Sequence, residues 1–444
     1  MAGAMGACVG GLPISVLTDS YKATHYLQYP KAQKMVCYGE FRAGYNKDKV
    51  DTRIVSYGLR YFIEQYVSKR WTLEDVERAD AFYRTHMAPA YSAFPFPKAL
   101  FEKFVRENDG YFPVKVEGCI TAEDDYAPMC TFLETLLTMI WYPTTVATLS
   151  RRARDIVEAT FARSSDQGKA SPLMSSRLQD FGFRGCTSVE QSILGGTAHL
   201  LSFTGSDTMS AAYFAQALSK VLPAISGKKV GKGGYLVLRP DSGDPTEAVL
   251  MALEAAEKVF GCTTNTRGFK VINGCGVIQG DGINIQSMEK ITLAVEQAGF
   301  AADNVTYGMG GGLLQKVNRD TMSFATKLNH VVYADGTAID IMKQPLTDPS
   351  KYSLPGVLAV KRVNGVPTVF PADSGEVSAE DNLLKVVYDR GPVAGFTWDD
   401  FDTVKSRLRS EWEVTPLRAD NLSPSLQAKI VEQTRLRGSK VIDG

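Results

Sequence analysis

Over roughly the first 165 residues, apolar positions recur mostly at helical spacing. From about residue 180 they contract into short runs flanked by polar loops. In the first stretch, residues 59–67, 72–86 and 98–108 are expected as helices, and Glu74, Asp75 and Glu77 suit the positive end of the second. Segments 34–38, 53–57 and 113–117 are expected as short strands. Residues 126–141 read as one long apolar helix that Pro143 ends or bends. Residues 144–163 continue as a helix with Arg151, Arg152 and Arg154 on its polar side.

Beyond residue 180, each expected strand runs into a loop carrying glycine or an acid. Residues 200–203 lead into TGSDT (204–208), 235–238 into RPDSGD (239–244), and 276–278 into QGDG (279–282). Residues 304–307 lead into GMGGGLLQKVNRD (308–320), and helices over 247–260 and 287–298 separate these units. Strand, acidic or glycine loop, then helix is the grammar of a parallel α/β sheet or barrel, with function at the strand C-terminal ends. The tail from about Ala359 reads as a small antiparallel unit and an amphipathic helix over 424–435.

A chain of 444 residues accommodates two or three domains, or a barrel with an appended domain. Lys plus Arg balance Asp plus Glu at 49 each, so no overall field draws nucleic acid or an anionic membrane. Any anion binding must therefore be local. No apolar run approaches the ~20 residues of a membrane span, and the N-terminus lacks the basic and apolar regions of a secretory signal. Seven scattered cysteines without a CxxC pair indicate free thiols in a reducing, cytoplasmic setting. His25, His86, His199 and His330 stand at no metal-ligand spacing, so a histidine-based metal site is not expected.

The glycine tract is the strongest chemical signal. Four glycines at a strand-to-helix junction let main-chain N–H groups close around an anion, and Lys316 and Arg319 follow within two turns. The plain alternative is a flexible glycine turn. The neighbouring loops add Asp207, Arg239, Asp241 and Asp281. Acids beside a phosphate cradle suit a ligand with phosphates and hydroxyls, with Mg²⁺ between them. Singly, each Asp also reads as a turn former or helix N-cap. In QDFGFRG (179–185), an aromatic beside Arg184 can stack a flat ring and hold a phosphate, or simply form a tight turn with core phenylalanines. The segment TDSYK (18–22) reads as an N-cap and helix start. Lys343 and Lys351 flank a proline-rich loop, where lysines are usually just solvated.

Taken in order, LTDSYKATHYLQYP, WYPTTVATLSR, DFGFRG, SFTGSDT, RPDSGDP, VIQGDG, GMGGGLLQKVNRD and TDPSKYSLPG resemble the nicotinamide phosphoribosyltransferase family, within the type II phosphoribosyltransferase superfamily. They run from about residue 16 to about residue 356. The resemblance implies an irregular (β/α) barrel of the type II phosphoribosyltransferase kind over 151–356, whose completeness turns on the segment between TGSDT and RPDSG. It adds an N-terminal α+β domain over 1–150 with dimer-forming helices, and a C-terminal α+β segment over 357–444 packed on that domain. It implies transfer of phosphoribosyl from phosphoribosyl pyrophosphate to nicotinamide with Mg²⁺, in a homodimer with shared active sites. Nicotinate phosphoribosyltransferase is the alternative activity. Residue by residue, Phe181 and a second subunit's Tyr21 would sandwich the nicotinamide ring, Asp207 would accept from its amide, and Arg239 would meet its edge. Asp241 and Asp281 would take ribose hydroxyls or, for Asp241, the metal. Gly280, Gly310, Gly311 and Arg319 would hold the 5′-phosphate, and Arg184, Lys327, Lys343 and Lys351 the pyrophosphate or nucleotide phosphates.

One segment departs from the family. A PAAEHS-like stretch carrying the histidine that couples ATP hydrolysis, and an acidic SDSYD-like loop after it, should separate TGSDT from RPDSG. Only 209–234 stands there, a helix over about 210–222 and a basic linker over 226–234. A smaller gap stands near 118–121. Three accounts are open: an internal segment missing from this sequence, a natural short form with an open barrel, or a nucleotide-binding homologue with weak catalysis. The intact flanking motifs favour the first. As written, the chain lacks the histidine through which the family couples ATP hydrolysis to the reaction, so ATP coupling is not expected of it.

Overall fold

A computed structural model describes residues 14–29, 31–86, 88, 90–93, 95–218, 234–343 and 352–442. The strands within them are β1 (Ala32–Glu40), β2 (Lys115–Val116), β3 (Cys119–Glu123), β4 (Leu178–Asp180), β5 (Gly205–Ser206), β6 (Leu236–Leu238), β7 (Cys262–Thr264) and β8 (Lys270–Ile272). They continue with β9 (Cys275–Gln279), β10 (Val305–Met309), β11 (Ala325–Tyr333), β12 (Ala338–Asp340), β13 (Leu358–Val363), β14 (Val366–Pro371) and β15 (Tyr388–Asp389). Two sheets carry the architecture. One is antiparallel with order β12-β11-β1-β3-β2-β15. The other is parallel with order β5-β4-β10-β9-β6.

The second sheet is the expected α/β element, and among the described residues it does not close into a barrel. β5 pairs only with β4, and β6 only with β9. The break falls between residues 206 and 236, on either side of the short segment found in the sequence. Leu236 and Val237 on edge strand β6 are 46% and 50% exposed, and Met209 and Tyr213 on the helix Met209–Leu218 are more so. Central strands of a parallel sheet are ordinarily covered on both faces, so these apolar positions mark the open edge. The expected helix beyond residue 218 and most of the basic linker lie outside the described residues.

Several local expectations change for physical reasons. Segment 53–57 is extended but joins no ladder; the Thr148 and Thr144 hydroxyls take the N–H groups of Val55 and Tyr57 at 2.9 and 3.1 Å, where a strand partner would stand. Residues 200–203 close the helix Val189–Leu200, and the strand forms two residues later as β5. A fully buried apolar run reads alike as helix or strand. The long helix near Pro143 divides into Asp124–Met129, Cys130–Thr138 and Trp141–Ser164; Pro143 sits in the first turn of the last, where its missing N–H costs no bond. Arg151 and Arg154 are buried rather than solvated. Both pair with Glu158, at 3.1 and 2.9 Å, and Arg151 also with Asp155. The tail forms the β13–β14 hairpin and the helix Pro424–Ile442, whose Leu426 packs with Tyr38 and Val36 of β1.

Candidate active site

Because β4, β5, β6, β9 and β10 are parallel, their C-terminal ends lie along one edge. That edge gathers Phe181 after β4, Asp207 after β5, Arg239 and Asp241 after β6, Gly280 and Asp281 after β9, and Gly310 and Gly311 after β10. Asp207, Arg239, Asp241 and Asp281 are exposed and Phe181 is half-buried. Hydrogen bonds fix the main chain at these turns. The Phe181 N–H donates to the Met309 carbonyl at 3.1 Å, the Asp207 N–H to the Asp180 carbonyl at 2.9 Å, and the Asp281 N–H to Gln279 Oε1 at 2.9 Å.

The Phe181 ring lies across β10 and β9 on a floor of glycine. A Cβ at Gly308 would fall 2.0 Å from Phe181 Cε2, and one at Gly280 would fall 3.1 Å from it. The Arg239 guanidinium stands 5.4 Å from the ring centroid, within cation–π range. Its Nε is 4.0 Å from Asp241. The edge therefore offers a flat apolar shelf, a guanidinium beside it, and carboxylates on the loops that follow the neighbouring strands.

The glycine tract differs from the expected cradle. The helix after β10 is a single turn, Gly311–Leu314, whose first internal donors, Leu313 and Leu314, bond the Gly310 carbonyl at 2.9 and 3.1 Å. Much of the glycine requirement is packing: a Cβ at Gly312 would sit 2.4 Å from the Ile283 carbonyl, and one at Gly310 would sit 3.3 Å from that of Phe181. Gly311 is exposed with ordinary room at its Cβ, so it is the position where backbone can approach a ligand. Arg184 and Arg319 are exposed; Arg319 pairs with Asp320 at 3.7 Å.

Tyr21, Lys327 and Lys343 stand outside the parallel sheet. Tyr21 is 59% exposed on the 3₁₀ helix Ser20–Gln28, set edge-on to His25 at 5.3 Å. That helix is held by the Lys22–Glu134 pair, and Asp19, which stands at its N-cap, makes no side-chain capping bond. Lys327 lies on β11 of the antiparallel sheet, with its Nζ on the Thr326 carbonyl at 2.9 Å. Burial pushes its amine below the usual lysine range; Glu134 opposes this, and Arg42, Lys22 and Lys343 deepen it. Lys327 thus shares a second, charged group with Lys22, Lys343, Arg42 and Glu134, and Lys22 of that group stands 5.7 Å from the Tyr21 ring centroid. Lys351 lies outside the described residues.

None of the four histidines reaches the strand-end edge. His199 is buried, its Nε2 donating to the Gly205 and Leu178 carbonyls at 3.1 and 3.3 Å and its Nδ1 facing the Ser150 hydroxyl at 2.9 Å. Burial holds its pKa low, which suits a neutral structural imidazole. His330 pairs with Asp340, and His86 stacks on Phe82. Sequence reasoning passes over Asp180 and Gln315. Gln315 Nε2 donates to the Gly182 carbonyl at 3.0 Å, tying the loop after β4 to the turn after β10. β4 is only Leu178–Asp180 and Gln179 in it is polar too, so the sequence carries no separate sign for Asp180. A cavity of about 1180 Å³ lies elsewhere, beside segment 40–65 and the helix Phe401–Val414, and no strand-end residue lines it. Among the described residues no group of three His, Cys, Asp or Glu could hold a metal. None of the described helices is long and apolar enough to cross a membrane.

Comparison with known proteins bears on the family and the fold. Residues 13–116 match the nicotinamide phosphoribosyltransferase N-terminal domain, and residues 228–391 match the nicotinate phosphoribosyltransferase family. The chain is 33% identical to a nicotinamide phosphoribosyltransferase of Xanthomonas campestris, over 85% of this chain and 94% of that protein. It is 25% identical to one of Mycoplasma genitalium, over 58% and 71%. The Xanthomonas alignment spans 454 residues, longer than this 444-residue chain, so the relative carries residues without a counterpart here. In fold, it resembles the human nicotinic acid phosphoribosyltransferase structure (TM-score 0.54, 15% identity, 94% of this chain and all of that one). A nicotinate-nucleotide pyrophosphorylase from Pyrococcus furiosus gives a TM-score of 0.52 at 12% identity, over 91% and 97%.

Proposed function

This chain belongs to the nicotinamide phosphoribosyltransferase family, and from that premise we propose how its strand-end edge works as a pentosyltransferase. It transfers phosphoribosyl from phosphoribosyl pyrophosphate to nicotinamide, giving nicotinamide mononucleotide and pyrophosphate. The observation that carries the assignment of roles is that five parallel strands end on one edge, which bears the Phe181 shelf with Arg239 against it and Asp207, Asp241 and Asp281 on the loops alongside.

Phe181 supports one face of the pyridine ring and Arg239 meets its edge. Asp207 accepts a hydrogen bond from the carboxamide. Nicotinate would place a carboxylate against that acid, leaving like charges unpaired, so the site selects the amide. Asp241 and Asp281 take the ribose hydroxyls, while Gly280, Gly310, Gly311 and Arg319 receive the 5′-phosphate and Arg184 the pyrophosphate. Mg²⁺ is commonly held by one or two carboxylates together with substrate phosphates and water, and the exposed Asp241 fits that mode. When bound, it neutralises charge building on the leaving pyrophosphate. Displacement at the anomeric carbon, with much oxocarbenium character, asks for alignment and charge stabilisation more than covalent help.

The position of Tyr21, Lys327 and Lys343 outside the parallel sheet supports a homodimer in which these residues complete the site of a second copy, and Lys351 is assigned the same role from the family resemblance alone. Free thiols at Cys37, Cys119, Cys130 and Cys275 suit a reducing cytoplasm. The test is product formation: nicotinamide and phosphoribosyl pyrophosphate with Mg²⁺ should yield the amide mononucleotide, and preferential use of nicotinate would overturn the reading. A second reading rests on the histidines, none of which lies at the edge. On it, the chain binds nucleotide but turns over weakly and without ATP coupling. ATP-stimulated turnover with a phosphorylated histidine would refute that reading.

A further inference from the structure

Asp180 ends β4 and is fully buried. Its Oδ1 accepts the Gly182 N–H at 2.7 Å, and its Oδ2 accepts the Ser206 hydroxyl at 3.1 Å. Its main-chain carbonyl accepts the Asp207 N–H at 2.9 Å, and Ser206 Oγ in turn accepts the Thr208 N–H at 3.1 Å. The surroundings make room for this carboxylate. A Cβ at Gly182 would come within 3.0 Å of Oδ1, and one at Gly196 within 2.9 Å of Oδ2.

These bonds join the two loops that recognise the ring. β4 and β5 pair only through Gln179↔Gly205 and Asp180↔Ser206, a ladder too short to fix its own register firmly. Phe181 follows the first member of the second pair and Asp207 follows its partner. The distance between aromatic shelf and amide acceptor therefore depends on what clamps Asp180 to Ser206. A buried carboxylate with two directed donors is the stiffest clamp available there.

We propose that Asp180 is a positioning residue that sets Phe181 and Asp207 at the separation distinguishing a ring carboxamide from a ring carboxylate. The role rests on the functional reading above and adds the residue that enforces its selectivity. It acts through its neighbours and touches no substrate.

Two substitutions test it in the full chain. Ser206→Ala removes the side-chain link between the strands and leaves the Gly182 bond and the main-chain bond from Asp207 to Asp180. Asp180→Asn keeps the shape and can still accept from Gly182 while losing the charge. Affinities for nicotinamide mononucleotide and nicotinate mononucleotide, measured by calorimetry, report selectivity without requiring turnover, and thermal unfolding is followed alongside. Wild type should prefer the amide, and each variant should lose about tenfold of that preference, the scale of one hydrogen bond. A purely structural residue would lower the unfolding midpoint and weaken both ligands alike; an unchanged ratio in Ser206→Ala overturns the proposal. A wild type without preference would instead remove the amide-selective reading on which the proposal stands.

Discussion

Gly308→Ala tests the ring shelf most directly, because the cause and its reach are both set by geometry. The added Cβ would lie 2.0 Å from Phe181 Cε2 and 2.2 Å from Cδ2. Carbon pairs settle near ~3.5–4.0 Å, so one side must retreat by about 1.5–2 Å. β10 cannot, since Gly308 pairs with Gln179 on one flank while Tyr307 pairs with Gln279 on the other. The ring can, because it is half-buried and Gly280 beside it presents no side chain. Overpacking of this kind costs about 1–3 kcal/mol, and the ring's escape route puts this case at the low end. An aromatic pair contributes ~0.5–1.5 kcal/mol beyond its buried area, so nicotinamide binding should weaken about two- to tenfold. The assay is the KM for nicotinamide at saturating phosphoribosyl pyrophosphate, or its Kd by calorimetry if turnover is slow. KM should rise while kcat stays within about twofold, the signature of lost ground-state binding. Phe181→Ala should behave alike, and the double variant should be no worse than Phe181→Ala alone. Additive losses, or unchanged affinity in a folded Gly308→Ala protein, would refute the shelf.

Three further outcomes are expected. Asp207→Asn should cut the preference for nicotinamide over nicotinate by about tenfold or more, as read from the two kcat/KM values, since it removes the like-charge penalty; an unchanged ratio would place selectivity elsewhere. Lys405, with Nζ on the Phe203 carbonyl at 3.3 Å, is held down to about 8 by burial and then by Arg409 and Arg154. Below about pH 8 the folded state carries the full cost of the buried ammonium, and as pH rises toward ~10.5 that cost is relieved. Lys405→Met should therefore stabilise by up to about 3 kcal/mol at pH 7 in denaturant unfolding, with the gain fading by ~pH 10.5; a gain independent of pH would contradict the titration. Val237→Lys on open strand β6 should reduce light scattering while changing stability by no more than about 0.5 kcal/mol; marked destabilisation would show that β6 is covered in solution.

The alternation of strand, loop and helix along the chain is enough to locate the strand ends. Four of the loops, TGSDT, RPDSGD, QGDG and the glycine tract, stand on one edge because parallel strands must all end on the same side. The family, the local chemistry and the break between residues 208 and 234 are legible because motifs and turn chemistry are short-range properties of a chain. What stays hidden depends on contacts across long separations. The Thr144 and Thr148 hydroxyls replace a strand partner for 53–57. Arg151 is neutralised by Asp155 and Glu158 in the core, although helical spacing alone would leave it in water. The glycines read as an anion cradle serve largely to admit the Phe181 ring and the Ile283 carbonyl. Only the tertiary structure divides the candidate residues into a strand-end group and a charged group that includes Lys22 beside Tyr21, and only it sets Asp180 between the two ring-recognising loops. Sequence names which chemical groups a chain possesses; which of them meet is decided by sheet order and packing, where residues far apart in the chain come within bonding distance.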